Sequence, residues 1–324
     1  MKAIVRRTYG PPAVLELRDV DKPVVKDDGV LVRIRAASLN AADLDYLYGR
    51  PLLTRMGTGL RKPRDRGLGL DVAGQVEAVG KAVTQFQPGD EVFGDLTEFG
   101  YGAFAEYGYA PERAWAHKPA NMTFEEAATI PQAAILAMQG LRGGGGIGPE
   151  HRVLVNGASG NVGPFAVQIA KAFGAHVTGV CSTSKVDMVR ELGADHVIDY
   201  TREDYTRSGQ RYDWIVDVAG NRSILQCRRA LKPGGVYVMV GGPTARIFGA
   251  LFLGPLISIV GSRKMGLMMW WKPFKKEDVA FLRELIEAGK IAPVIDRRYK
   301  LSEVPEALRY LEEGHAQGKI VITV

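Results

Sequence analysis

The chain has 324 residues, 46% hydrophobic and 24% charged, with a formal net charge of +6. That length exceeds the ~100–200 residues of a usual domain, so two lobes are expected, and the composition excludes a disordered or fibrous chain. Two cysteines, Cys181 and Cys227, exclude a disulfide framework and a four-cysteine zinc lobe, and they point to a reducing compartment.

The opening Met1-Lys2-Ala3-Ile4-Val5-Arg6-Arg7 lacks the apolar core of a signal peptide and runs into strand-like sequence, so the cytoplasm is the expected location. The first 110 or so residues hold short β-type runs at 3–6, 30–36, 71–79, 90–93 and 103–107, with turn glycines at Gly74, Gly80, Gly89, Gly94 and Gly102. Such spacing predicts a small curled β domain. Within it, Arg50, Arg55, Arg61, Lys62, Arg64 and Arg66 cluster in a stretch punctuated by Gly and Pro that reads as a long loop. The cluster carries no nucleic-acid recognition motif; a solvated loop or the rim of a substrate site is the expectation, and no nucleic-acid partner is expected.

From residue 122 the pattern changes. A helical stretch at 124–141 leads into apolar strands at 153–156, 176–180, 196–199, 214–218 and 236–240, alternating with helices at 162–173, 185–192 and 223–231. This rhythm predicts a doubly wound parallel sheet covered on both faces. A helix at 276–288 follows, and 299–324 returns to strand-like and short helical sequence. The apolar run 247–260 is shorter than the ~20 residues of a membrane span and contains Pro255, so no transmembrane segment is expected. Together with 265–271 it reads as a subunit interface, buried core or a membrane-surface contact.

The run Val153-Leu154-Val155-Asn156-Gly157-Ala158-Ser159-Gly160-Asn161-Val162-Gly163 is strand, glycine-rich turn and helix start, with Pro164 fit for a first helical turn. Glycines let the backbone approach a pyrophosphate, and the next helix offers its free amides to the anion. The spacing is G-x-x-G-x-x-G, and a tight β–α turn is the bland alternative. Gly157, Ser159, Gly160, Asn161, Val162 and Gly163 are therefore candidate dinucleotide contacts. The second strand ends in Cys181-Ser182-Thr183-Ser184-Lys185, without an acidic residue to repel a 2′-phosphate. Cys181, Ser182, Ser184, Lys185 and, at the end of the third strand, Tyr200 are assigned to NADPH, although Ser184 also suits a plain helix cap and Lys185 a solvated surface.

The pieces Leu39-Asn40-Ala41-Ala42-Asp43, Gly69-Leu70-Asp71-Val72-Ala73-Gly74-Gln75-Val76, Pro88-Gly89-Asp90-Glu91-Val92-Phe93-Gly94, Gly102-Ala103-Phe104-Ala105-Glu106-Tyr107 and Gly318-Lys319-Ile320-Val321-Ile322 complete a pattern. With the glycine-rich turn, it resembles the medium-chain dehydrogenase/reductase superfamily over essentially the whole chain. It is most similar to the zinc-independent quinone oxidoreductases, including the reticulon-interacting branch, and less so to polyketide enoyl reductases. The resemblance implies a GroES-like catalytic domain at 1–121 plus 273–324 and a Rossmann NADP-binding domain at 122–272, with the active site between them. It adds Val218, Val240, Gly241 and Lys319 to the cofactor set. A homodimer paired through the apolar region of the cofactor lobe is also implied.

Zinc enzymes of this superfamily draw ligands from a Cys in the first motif and a His-Glu pair in the second, where this chain has Asn40, Leu70 and Asp71. A further cysteine is absent from 124–141. No metal is therefore expected. Without that Lewis acid, reduction of an activated acceptor, a quinone or an α,β-unsaturated carbonyl, is the expected activity. The alternatives are a zinc-free alcohol or ketone reductase and a non-catalytic NADPH- or lipid-quinone-binding protein. Asn40, Asp43 and Tyr46 are the catalytic candidates, each with a structural alternative in loop hydrogen bonding or packing. The position at which enoyl reductases carry a proposed tyrosine donor holds Ala41, so the acid is unassigned.

Overall fold

The structure, a computed structural model, describes residues 1–52, 54–142, 145–269 and 272–324. Gly143 and Gly144 of the glycine run, and Trp270 and Trp271 of the apolar run, lie outside the described residues. The chain forms two compact units: Met1–Ala133 with Pro273–Arg283 and Pro293–Val324, and Ala134–Lys272 with Glu284–Ala292.

In the first unit, β1 (Lys2–Val5) pairs with β2 (Glu16–Asp19). There follow β3 (Gly29–Ser38), α1 (Ala41–Tyr48), α2 (Thr54–Thr58), β4 (Asp71–Val79), β5 (Glu91–Asp95), β6 (Tyr107–Pro111), β7 (Trp115–His117) and α3 (Phe124–Ala127). The helix α4 (Ala133–Arg142) leads into the second unit. That unit holds β8 (Arg152–Asn156), α5 (Gly163–Ala172), β9 (His176–Cys181), α6 (Val186–Glu191), β10 (His196–Asp199), β11 (Tyr212–Asp217), α7 (Ile224–Arg229), β12 (Leu231–Met239), α8 (Thr244–Val260) and β13 (Lys264–Leu267). The chain closes with α9 (Lys276–Glu287), β14 (Ile295–Lys300), α10 (Val304–Glu312) and β15 (Lys319–Thr323).

The sheet of the first unit runs β14-β15-β3-β4-β5-β7, with β6 also on β3. Alternating residues of β3, Val30, Val32 and Ile34, join Val72, Val92 and Ile320 in its core, as expected for strands with one face turned inward. Two expectations need correcting here. The strand at 103–107 lies further on, at 107–111, where Tyr107 to Pro111 pair with Arg33 to Gly29. Residues 103–105 are instead irregular, joined to β1 by the isolated bridge Ala3↔Ala105. The helix at 124–141 is two helices: Thr123 caps α3, and Pro131 lies in the break before α4.

The second unit is an all-parallel sheet in the order β10-β9-β8-β11-β12-β13. Strands run outward from β8 in both directions, so the order reverses between β8 and β11. Its core takes Leu154, Val180, Ile198, Ile215 and Met239. The sequence leaves β13 and α8 unread. α8 is a 17-residue helix that buries only Ala250 and Gly254. It leaves Phe252, Leu256, Ile259 and Val260 exposed by 63%, 59%, 80% and 89%, so the run is not buried core. Among the described residues no helix is long and apolar enough to cross a membrane.

Candidate active site

The parallel sheet brings most of the cofactor candidates together. β8, β9, β10, β11 and β12 end at Asn156, Cys181, Asp199, Asp217 and Met239. The segments beginning at Gly157, Ser182, Tyr200, Val218 and Val240 therefore all leave the carboxyl edge of one sheet, around the point where strand order reverses. In open α/β sheets that crevice is where ligands bind. Gly157 adopts φ +88°, and its amide and that of Ala158 donate to Val180 O at 3.1 and 3.0 Å. A Cβ on Gly163 would lie 2.1 Å from Gly157 O, so only glycine lets α5 start so close to the turn. A Cβ on Gly160 would meet only Gly157 O, at 3.7 Å, which leaves open space over the turn for a ligand's approach.

Asp217 braces this edge. It accepts from Asn156 Nδ2 at 2.7 Å, from Tyr237 Oη at 2.8 Å and from the amides of Ala219 and Gly220 at 3.2 and 2.8 Å. Burial nevertheless pushes its carboxyl upward. Val218 and Gly241 stand on the neighbouring loops, where a Cβ on Gly241 would lie 3.7 Å from Val218 O.

Tyr200 donates its amide to Cys181 O at 3.0 Å, so it sits beside the Ser182–Lys185 turn. The parallel register also sets Asp199 opposite Cys181. Sequence reasoning missed that carboxylate by looking only at the end of β9. Asp199 accepts from Thr183 Oγ1 at 2.5 Å and Thr201 Oγ1 at 2.7 Å, and these bonds hold its pKa below the usual value.

The first unit assembles a second cluster. β15 runs antiparallel to β3, with Val321 opposite Ser38, and β4 pairs Asp71 with Ser38. These registers bring Asn40, just past β3, to the first residues of β15 and β4. Lys319 Nζ donates to Leu39 O at 3.1 Å and Asn40 Oδ1 at 2.8 Å, and lies 3.4 Å from Asp71 Oδ2. Asp71 Oδ2 also accepts from Asn40 Nδ2 at 2.9 Å and Ser38 Oγ at 3.3 Å. The Asn40 amide donates to Asp43 Oδ2 at 2.7 Å. All of these residues are buried.

Burial raises the Asp71 pKa and lowers that of Lys319, while their mutual attraction opposes both shifts. Asp43 is pushed up to about 8, chiefly by burial, and Asp95 to about 7 by burial and then by Asp71. Lys319, placed with the cofactor residues by resemblance, is thus joined in this unit to Asn40 and Asp71. Tyr46 is half-buried, with its ring centroid 4.5 Å from that of Tyr101. Tyr101 adopts φ +60°, rare for a bulky residue, and no sequence signal marked it.

Fold and site define a two-unit dehydrogenase/reductase, and comparison with known proteins agrees. The alcohol dehydrogenase GroES-like domain matches residues 26–120, and the zinc-binding dehydrogenase family matches 192–322. Mouse (Mus musculus) mitochondrial NAD(P)H oxidoreductase RTN4IP1 is 34% identical, covering 100% of this chain and 89% of that protein. The 2-methylene-furan-3-one reductase of Solanum lycopersicum is 36% identical over 99% of this chain and 79% of its own. The solved quinone oxidoreductase from Coxiella burnetii superposes with a TM-score of 0.88 at 30% identity, covering 100% and 99% of the two chains. The chain belongs to the medium-chain dehydrogenase/reductase superfamily, in its quinone-oxidoreductase-like group, with a GroES-like β domain and a Rossmann-type parallel sheet. It is an oxidoreductase.

Proposed function

We propose that the protein is an NADPH-dependent, zinc-independent oxidoreductase that reduces a quinone or the activated C=C of an α,β-unsaturated carbonyl. The observation that carries this reading is the buried Lys319–Asn40–Asp71 cluster. Zinc sites of protein origin are built from thiolate, imidazole and carboxylate donors. Here the motif positions hold a side-chain amide, the core residue Leu70, and a carboxylate already in contact with an ammonium. Among the described residues no group of three His, Cys, Asp or Glu is suited to a metal. A dication would compete with Lys319 for Asp71, so these residues do not fit zinc.

The residues at the carboxyl edge of the parallel sheet do suit a dinucleotide. Reduced nicotinamide, when bound, supplies a hydride. The Gly157–Gly163 turn and the start of α5 would hold its pyrophosphate; Ser182, Ser184, Lys185 and Tyr200 would hold a 2′-phosphate; Val218, Val240 and Gly241 would flank the rest. Asn40, held by Lys319 and Asp71, is the positioning group of the substrate lobe, and the Tyr46 hydroxyl is the candidate proton source for the enolate or quinol oxygen. Asp43 steadies the start of α1. The exposed apolar side of α8 and, among the described residues, the position of β13 at the edge of its sheet support a homodimer. Two buried free cysteines suit the reducing cytoplasm.

The test is a panel of quinones, enones, saturated ketones and alcohols followed at the nicotinamide absorbance, with elemental analysis of the purified protein. Turnover of NADPH with quinones or enones, unaffected by chelators, is expected. One zinc per chain with chelator-sensitive turnover, or a preference for saturated carbonyls, would overturn the reading.

A further inference from the structure

The basic stretch marked in the sequence separates into two groups once folded. Arg55 is spent on structure: its guanidinium lies 4.6 Å from the Tyr9 ring centroid and donates to the carbonyls of Gly49 and Tyr48 at 3.1 and 3.2 Å. Arg50 covers the ring of Tyr48 at 4.7 Å. Arg61, Lys62, Arg64 and Arg66 instead join Arg7 around a concavity of about 750 Å³. All five are exposed, and among the described residues none of them forms an ion pair. Asp65, the one carboxylate in this loop, is absent from the lining.

The loop carrying these cations is held in shape. Tyr9 Oη donates to Gly59 O at 2.8 Å and lies 2.7 Å from Thr58 Oγ1. The amide of Arg64 donates to Thr58 O at 2.8 Å, and that of Arg6 to Arg66 O at 2.9 Å. Gly59 adopts φ +119°, and a Cβ there would lie 2.2 Å from Lys62 O, so the turn closes only with glycine. Pro63 is buried beneath it. Five like charges are thus gathered on a fixed frame at a cost in mutual repulsion, which an anion would relieve.

We propose that this concavity binds a small ligand bearing two or more adjacent phosphate groups, at a site separate from the glycine-rich turn. Its volume is that of a small-molecule site. Four of the side chains in question are not merely positive: Arg7, Arg61, Arg64 and Arg66 offer forked donors that match phosphate oxygens in pairs. Among the described residues that line it there is no aromatic ring for base stacking, and Leu60 is the one large aliphatic side chain in that lining. Both facts favour a compact oligophosphate over nucleic acid or lipid surface.

The test is calorimetric titration of the full chain with inorganic tripolyphosphate at constant ionic strength, with and without saturating NADPH. One saturable site per chain is expected, undisplaced by NADPH and unchanged in Lys185→Ala. The double variants Arg64→Gln/Arg66→Gln and Arg61→Gln/Lys62→Gln should each weaken it about tenfold, as the loss of two screened charge contacts predicts. Unchanged thermal melting of either double variant confirms that the loop change leaves the fold intact. Absence of saturable binding overturns the proposal, as does displacement by NADPH or loss in Lys185→Ala, which would put the probe in the dinucleotide turn. Tighter binding of a single-stranded oligonucleotide or of phosphatidylserine vesicles, lost in the same double variants, would also overturn it by replacing the small ligand with a macromolecular one.

Discussion

Lys319 Nζ lies 2.8 Å from Asn40 Oδ1 and 3.4 Å from Asp71 Oδ2, with lysine and aspartate exposed by only 1% and 0%. Removing one member of a buried ion pair strands the other, typically at a cost of about 3–5 kcal/mol. Lys319→Met should destabilise the protein by that amount in urea unfolding. Adding Asp71→Asn should recover much of the loss, because the amide no longer needs a counter-charge. If the double variant is as unstable as the sum of the single ones, the two side chains do not act as a pair.

Asp43 makes stability depend on pH with a definite sign. Its folded pKa is about 8, against an ordinary carboxyl value near 3.8. Across that window the folded chain keeps a proton that the unfolded chain has released, so stability falls as pH rises and levels off above the folded value. Asp95, pushed to about 7, acts in the same direction. Asp43→Asn retains an acceptor for the Asn40 amide and removes the ionisation. The variant should match wild type near pH 4 and exceed it at pH 8 by an amount on the order of a few kcal/mol. Denaturant unfolding over a pH series checks this, and parallel curves for the two proteins would refute it.

How far these sites are legible in sequence depends on how local they are. The glycine-rich turn is a contiguous word, so both its place after β8 and its closeness to α5 can be read from Gly157 and Gly163. The Asn40–Asp71–Lys319 cluster joins residues up to 279 positions apart and exists only through the β15–β3–β4 register. Asp199 is hidden for the same reason, since a neighbouring parallel strand delivers it beside Cys181. α8 is apolar around most of its circumference and contains Pro255, so no 3.6-residue period betrays it. The Tyr107–Pro111 strand is masked by its own Gly108 and Pro111, residues that ordinarily argue against a strand.

The exposed face of α8 carries the dimer prediction. Phe248 and Phe252 stack with centroids 6.0 Å apart, and Leu256 and Ile259 continue the apolar surface. A second copy covering this face is the simplest way to remove it from water. Light scattering should show a dimer at micromolar concentration, and Phe252→Glu with Ile259→Glu should yield a folded monomer. Wild-type protein that is already monomeric would leave the dimer without support.

Cofactor preference should turn on one lysine in the turn after β9 and one carboxylate at the end of β10. Lys185 and the hydroxyls of Ser182 and Ser184 favour a dianionic phosphate, whereas Asp199, opposite Cys181, opposes it. Thr183 and Thr201 already bond Asp199, and Arg202 lies 3.5 Å from it, so much of its charge is engaged. NADPH should therefore bind more tightly than NADH. A charged hydrogen bond contributes about 1.5–3 kcal/mol, less where solvent screens it, so Lys185→Ala should weaken NADPH about tenfold and leave NADH nearly unchanged. Tyr200→Phe removes a neutral donor and should have a smaller effect of the same sign. Asp199→Asn should strengthen NADPH, because it removes a like charge from the phosphate's surroundings; its Oδ1 still accepts from Thr201, and its Nδ2 donates to the Thr183 hydroxyl in place of the bond that oxygen accepted. Dissociation constants of both cofactors, measured for all four proteins at one ionic strength, decide the matter. Equal wild-type affinities for NADH and NADPH, or equal losses for both in Lys185→Ala, would remove the phosphate from this turn.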